Sequence, residues 1–265
     1  SFFNDSTNFV ALKTSQLIEY SSSLNIEDVE ILKSPIAFNH FKNSGYISVK
    51  KNSLDLFIDV AKVGPDYLPA HAHADTLSFE MSYDEQKVFV NSGISTYEMS
   101  SKERNEERGT NFHNTLIINN QNSSDVWGSF RVGRRALPKN LVIKKNDLTY
   151  EISCSHDGYK HLKSSPIHSR SWILSDNELL IKDSVSSDLY ECYANFIVHP
   201  KVKIEMKTND RLNLILPNDT ILSVIFNGAN IKLIDHIYSP KFGERLKTKA
   251  IRVISAHNYI CKIKI

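Results

Sequence analysis

The segment Pro69-Ala70-His71-Ala72-His73-Ala74-Asp75-Thr76-Leu77-Ser78-Phe79-Glu80 places two imidazoles and a carboxylate at alternate positions. In an extended chain, residues two apart share a face, so the spacing predicts that His71, His73 and Asp75 project together and continue the row Leu77, Phe79, Met81. Such a group can offer imidazoles to one metal ion or to a substrate at the end of an apolar face. The plainer alternative is a pair of hydrogen-bonded, half-buried histidines in a strand. Ala72 and Ala74 leave room for another backbone or a ligand to approach closely. A third histidine, His113, lies in Thr110-Asn111-Phe112-His113-Asn114-Thr115, and Asn91 ends the run Val88-Phe89-Val90. Zinc with an open position takes three ligands of the His and carboxylate type plus water. Asn91 is neutral and has only a weak carbonyl oxygen to give, so it is a poor stand-in for a carboxylate.

Two polar links surround these residues in sequence. Lys102-Glu103-Arg104-Asn105-Glu106-Glu107-Arg108 reads as a solvated charge run, although its position just before Thr110 and His113 draws Arg108 toward the site. Asp125-Val126-Trp127-Gly128-Ser129-Phe130-Arg131-Val132-Gly133-Arg134-Arg135-Ala136 combines a Trp, a Phe and three arginines. Arginine forks pair with carboxylates or sulfates, and an indole face stacks on a sugar ring. A folded loop packed on a scaffold accounts for the segment nearly as well.

The elements that must position these side chains are strands. From Tyr46 onward, short runs rich in Val, Ile, Leu and aromatics alternate with compact turn signals such as Lys145-Asn146-Asp147, Ser175-Asp176-Asn177, Pro217-Asn218-Asp219 and Asn227-Gly228. Strands joined by links this short run antiparallel. The expected fold is all-β: a large two-sheet antiparallel β-sandwich with at most a short amino-terminal helix, drawn from residues 4–23. Residues 1–40 are expected to be a linker or the remnant of a preceding helical domain, and 41–265 the sandwich. At 265 residues and 41% apolar content, one large β domain can bury a full core.

Charge and cysteine usage narrow the function classes. Lys plus Arg (32) against Asp plus Glu (30) leaves a net charge of +2, without the concentrated positive charge that nucleic acid requires. Cys154, Cys192 and Cys261 form no CxxC pair, which argues against a cysteine metal cluster and leaves room for one bridge. No apolar run is long enough to span a membrane as a helix. The chain opens at Ser1 without an initiator Met or a signal core.

Four motifs occur in order: His71-Ala-His73-Ala-Asp75-Thr-Leu-Ser-Phe79; Phe89-Val-Asn-Ser-Gly93-Ile-Ser-Thr-Tyr97; Arg108-Gly-Thr110-Asn-Phe-His113-Asn114-Thr115; and Trp127-Gly-Ser-Phe130-Arg131-Val-Gly133-Arg-Arg-Ala136. Together they resemble the carboxy-terminal domain of the heparinase II/III-like polysaccharide lyases, a group that includes oligo-alginate lyases. The likeness is most specific over about residues 45–140; His156-Asp-Gly-Tyr159, His168-Ser-Arg170, His199-Pro200 and Tyr238-Ser-Pro-Lys-Phe-Gly243 extend it.

The resemblance implies a β-sandwich, with His71 as the catalytic or substrate-facing imidazole. It also implies that His73, Asn91 and His113 form a zinc site bracing the floor, with Tyr97, Arg108, Trp127 and Arg131 on the substrate-binding surface. Family members carry Asp where this chain has Asn91. The implied activity is β-elimination on an acidic, uronic-acid-containing polysaccharide such as a glycosaminoglycan, in the periplasm or outside the cell. In such lyases an amino-terminal helical toroid supplies a catalytic Tyr and an Asn or His, so the chain is expected to be an excised carboxy-terminal domain or a stand-alone relative. A non-catalytic carbohydrate-binding or scaffolding module in polysaccharide biosynthesis is the alternative, and a purely dimerising sandwich is a third reading.

Overall fold

A computed structural model of the chain describes residues 4–5, 12, 14–26, 37–99, 101–146, 148–254 and 256–264. Helix α1 spans Thr14–Ser23, within the stretch expected to hold the amino-terminal helix. Strands β1 (Phe38–Phe41), β2 (Tyr46–Lys51), β3 (Leu54–Asp59), β4 (Phe79–Tyr83) and β5 (Gln86–Phe89) form an antiparallel meander in sequence order. Helix α2 (Lys102–Glu107) and a 3-10 turn over Thr110–Phe112 then precede β6 (Leu116–Ile118). A small hairpin, β7 (Val126–Trp127) with β8 (Arg131–Val132), leads into β9 (Pro138–Lys145), β10 (Tyr150–His156), β11 (His168–Leu174) and β12 (Glu178–Val185). The remaining strands are β13 (Cys192–Ile197), β14 (Lys203–Met206), β15 (Arg211–Ile215), β16 (Ile221–Asn227), β17 (Asn230–Tyr238), β18 (Leu246–Ile254) and β19 (Asn258–Lys264).

These strands make two layers. One is an eight-stranded sheet in the order β14-β15-β16-β19-β12-β11-β10-β9. The facing layer joins the five-stranded meander to a four-stranded sheet, β17-β18-β13-β6, through the bridges Phe89–Val198 and Gly93–Ser239. Every strand-to-strand ladder among the described residues is antiparallel, as the short links require. Alternation along β11 and β16 sends Trp172, Leu174, Leu222, Val224 and Phe226 into a common core with Ile47, Leu56, Phe79, Phe89 and Phe196. Phe79, Phe89, Phe196 and Phe226 meet edge to face at centroid distances of 5.4–6.0 Å. All three cysteines are free and buried in this interior, so the single bridge left open by their number does not form.

Two buried devices hold the layers in register near the site. Arg170 on β11 forks onto the Asp183 carboxylate of β12 (2.7 and 2.8 Å) and also donates to the Leu77 and Asn114 carbonyls of the opposite layer. His168 donates to the same Asp183 at 2.6 Å and contacts His156 at 3.0 Å. Burial works to raise the Asp183 carboxyl, but Arg170 and His168 outweigh it and hold it well below the usual carboxylate range. At the second joint, Gly93 has φ of +74°, and a Cβ there would sit 2.0 Å from the Ser239 carbonyl oxygen, so only glycine permits the bridge.

Candidate functional site

The histidine segment is not the extended strand that its alternation predicts. Residues 71–78 run as turns and irregular chain, and β4 begins only at Phe79. Leu77 adopts φ of +63° and donates to Asp59, while Ser78 donates back to Asp75. The reason is tertiary. Arg108, fully buried at the end of α2, donates to the Ala72 carbonyl at 2.9 and 3.1 Å, Ala74 donates to the Arg108 carbonyl, and Thr110 caps the Ala74 carbonyl. The small alanines let α2 approach, as their size suggests, and this clamp replaces a strand ladder.

The three sequence neighbours therefore take different surroundings. His71 is 56% exposed, whereas His73 is fully buried and Asp75 nearly so. Both histidines converge on one carboxylate, that of Asp5. His71 Nδ1 lies 2.6 Å from Asp5 Oδ2 and His73 Nε2 lies 3.0 Å from Asp5 Oδ1. Arg104, with a fully buried side chain, closes the arrangement by donating both terminal nitrogens to Asp5 and its Nε to the Ser129 carbonyl. Burial pushes the Asp5 carboxyl upward, but hydrogen bonds from His73 and Arg104 and their charge prevail and hold it well below the ordinary carboxylate range. An ionised carboxylate only accepts, so both facing imidazole nitrogens are N–H donors.

A second cluster lies inward of His73. One ligand atom each from His73, Asp75 and His113 falls within 4.8 Å of the others. His73 Nδ1, Asp75 Oδ2 and His113 Nε2 are all buried with no hydrogen-bond partner. Buried polar atoms are normally satisfied, so three orphans at one place fit a cation better than a void. Asn91 is adjacent: its Oδ1 accepts from His113 Nδ1 at 3.1 Å. In this arrangement the amide oxygen of Asn91 is taken up by the outer nitrogen of His113, and the carboxylate that lies among the unsatisfied imidazole nitrogens is that of Asp75. Burial, then the neighbouring His73 and His236, push His113 well below its usual value and keep it a neutral donor of its lone pair. Burial also raises the carboxyls of Asp75 and, next to it, Asp59.

Around exposed His71 stands a wall of rings. Tyr97 and Phe130 lie 5.8 and 5.9 Å from the imidazole, and Phe242 packs on Tyr97 at 4.7 Å. Tyr97 and Phe242 are each 40% exposed, so they offer faces to a ligand. Of the residues expected on the substrate surface, Trp127 and Arg131 are exposed on the β7–β8 hairpin. Arg108 lies inside the wall, its guanidinium directed to the Ala72, Ser129 and Arg131 carbonyls. Its place facing the histidines goes to Arg104, read from sequence as part of a solvated run. From sequence no site role falls to Asp5 or Arg104, and Phe130 and Phe242 stand inside the 127–136 and 238–243 motifs without one; the fold brings all four together beside His71.

A family model described as "Heparinase II/III-like, C-terminal" matches residues 33–265. The chain belongs to the heparinase II/III-like family, a polysaccharide-lyase family. Solved structures agree on the heparinase-like fold. The heparan sulfate lyase HepC from Pedobacter heparinus aligns with a TM-score of 0.78 at 15% identity, covering 99% of this chain and 43% of that one. A crystal structure of heparinase III gives 0.79 at 18% identity, with 99% and 44% covered, and the heparinase III BT4657 gene product gives 0.77 at 18%. The heparinase-like chain thus spans less than half the length of these lyases. No curated protein matches it at a significant level. Among the described residues, no helix of this heparinase-like chain is long and apolar enough to cross a membrane.

Proposed function

We propose that this domain supplies one half of an active site that cleaves an acidic, uronate-containing polysaccharide by β-elimination. The observation that carries the reading is exposed His71, the one imidazole of the cluster open to a ligand, held on Asp5 and flanked by aromatic rings. β-Elimination removes the proton at C5 of the uronate, breaks the C4–O bond and leaves a 4,5-unsaturated sugar. The reaction needs neutralisation of the carboxylate beside C5, a base for the proton and an acid for the departing oxygen. With Nδ1–H given to Asp5, His71 turns Nε2 to the substrate as base, or as acid once protonated.

The carboxylate-neutralising group and the second proton-transfer group are assigned to a helical toroid of the same protein, within the share of the relatives' length that this chain does not span. Tyr97, Trp127 and Arg131 would contact the glycan, with Phe242 extending the aromatic surface. His73, Asp75 and His113 would hold zinc, with Asn91 orienting His113. The ion would neutralise the buried Asp75 carboxylate and stiffen the floor beneath His71. A periplasmic or secreted location is proposed to match such a substrate.

The test uses the full-length protein with heparan-type, alginate and other uronate glycans, following absorbance of the unsaturated uronate. Product from at least one polymer, lost in His71→Ala, is expected. No product from any uronate polymer would remove the proposal, and would favour a binding module.

A further inference from the structure

Asp5 stands 66 residues upstream of His71, 68 upstream of His73 and 99 upstream of Arg104. Its side chain is 3% exposed and its two oxygens are shared among these three partners. Oδ2 faces His71 Nδ1 and Oδ1 faces His73 Nε2. The opposite nitrogen of His73, Nδ1, is one of the buried orphans beside Asp75 and His113. Arg104 anchors the carboxylate from behind and is itself held by the Ser129 carbonyl and the faces of Tyr97 and Phe130, 5.0 and 4.9 Å away.

We infer that Asp5 is a positioning residue that sets both imidazoles at once, placing the proton on Nδ1 of His71 and on Nε2 of His73. Which ring nitrogen carries the proton is set by the hydrogen bond made by that nitrogen, leaving the other free. The result is opposite tautomers on two histidines two residues apart. His71 directs a lone pair outward from Nε2, and His73 directs one inward from Nδ1 toward the triad. One carboxylate thereby couples the exposed base to the metal-type cluster. This inference rests on the proposed roles of His71 and His73, and its tests separate it from them.

Long-range nitrogen–proton correlation NMR on the metal-free wild-type protein, at a pH where both rings are neutral, reads the tautomers directly. The expected spectrum shows His71 protonated at Nδ1 and His73 at Nε2. In Asp5→Asn, which keeps shape but places an N–H donor among three donors, His71 should shift to the Nε2–H form. Zinc affinity, measured by competition with a chromophoric chelator, should fall about 10–100-fold in the same variant. A role confined to pairing Arg104 would lower the unfolding midpoint yet leave tautomers and zinc affinity unchanged; that result overturns the inference. So does a wild-type His71 protonated at Nε2, which needs no variant and holds even if Asp5→Asn fails to fold. If the wild-type protein takes no zinc, the metal assignment fails by itself and the tautomers alone decide on Asp5.

Discussion

The Nδ1 of His113 sits 3.1 Å from the Oδ1 of Asn91, while the Nε2 of the same ring is buried with no partner. A neutral amide here does what a carboxylate does behind many metal-bound histidines: it accepts the outer N–H and points the inner lone pair. Removing a ligand and removing its orienter should therefore differ in degree. Elemental analysis of His113→Ala and Asp75→Ala should find zinc lost from a wild type that carries it near stoichiometrically. Asn91→Ala should retain zinc with about 10–100-fold weaker affinity in chelator competition. Equal loss in all three variants would place Asn91 among the ligands.

More than half of the His71 side chain is exposed, and its one hydrogen bond among the described residues goes to a carboxylate that His73 and Arg104 still pair without it. His71→Ala in the full-length protein should cost about 10²–10⁴-fold in turnover, the range for a general acid–base group. Its urea midpoint should stay close to wild type, the usual result for surface positions. A loss of activity that tracks a large loss of stability would refute the separation.

Arg170 and Asp183 form the buried pair that ties the two layers behind the site. Asp183→Ala leaves the guanidinium uncompensated and should cost about 3–5 kcal/mol in equilibrium unfolding. A double replacement of both residues by apolar ones should be milder than the single change.

Stability should fall on mild acidification in metal-free protein. Burial, then Arg252, pushes His236 down to about 4, and burial, then Lys87 and Lys201, does the same to His199. The unfolded chain binds protons at these groups from roughly pH 6.5 downward, where the folded one does not. Their contribution is therefore fully present above about pH 6.5 and is lost as pH falls through the window to about 4. Urea midpoints measured from pH 7.5 to 4.5 should decline, and His236→Asn should flatten the slope; a midpoint rising toward pH 5 contradicts the assignment.

Gly93→Ala tests the joint beside the site. Its φ is costly for alanine and its Cβ would overlap the Ser239 carbonyl, so a loss of about 1–3 kcal/mol or more is expected in thermal unfolding. Glu107, which accepts from Ser95 and Ser239 next to this joint, should lose order with it, detectable as faster amide exchange at Ser95.

Residue type and local spacing alone determined the strand content, the antiparallel pairing and the identities of His71, His73 and His113. Alternation and turn chemistry act over a few residues, and the imidazoles stand out by their rarity among apolar neighbours. Even so, the alternation in 71–77 misread its own backbone, because Arg108 and Thr110 bind the Ala72 and Ala74 carbonyls and bend the segment before β4. The carboxylate facing the histidines, the arginine behind it and the placing of Asp75, rather than Asn91, with an unsatisfied oxygen beside His73 and His113 are features of three dimensions only. Asp5 and Arg104 meet across 99 residues of chain, and Asp75 and Asn91 differ not in type of spacing but in which one the fold leaves with an unsatisfied buried oxygen. Long-range closure of this kind follows from packing the layers, and no period or motif along the chain encodes it.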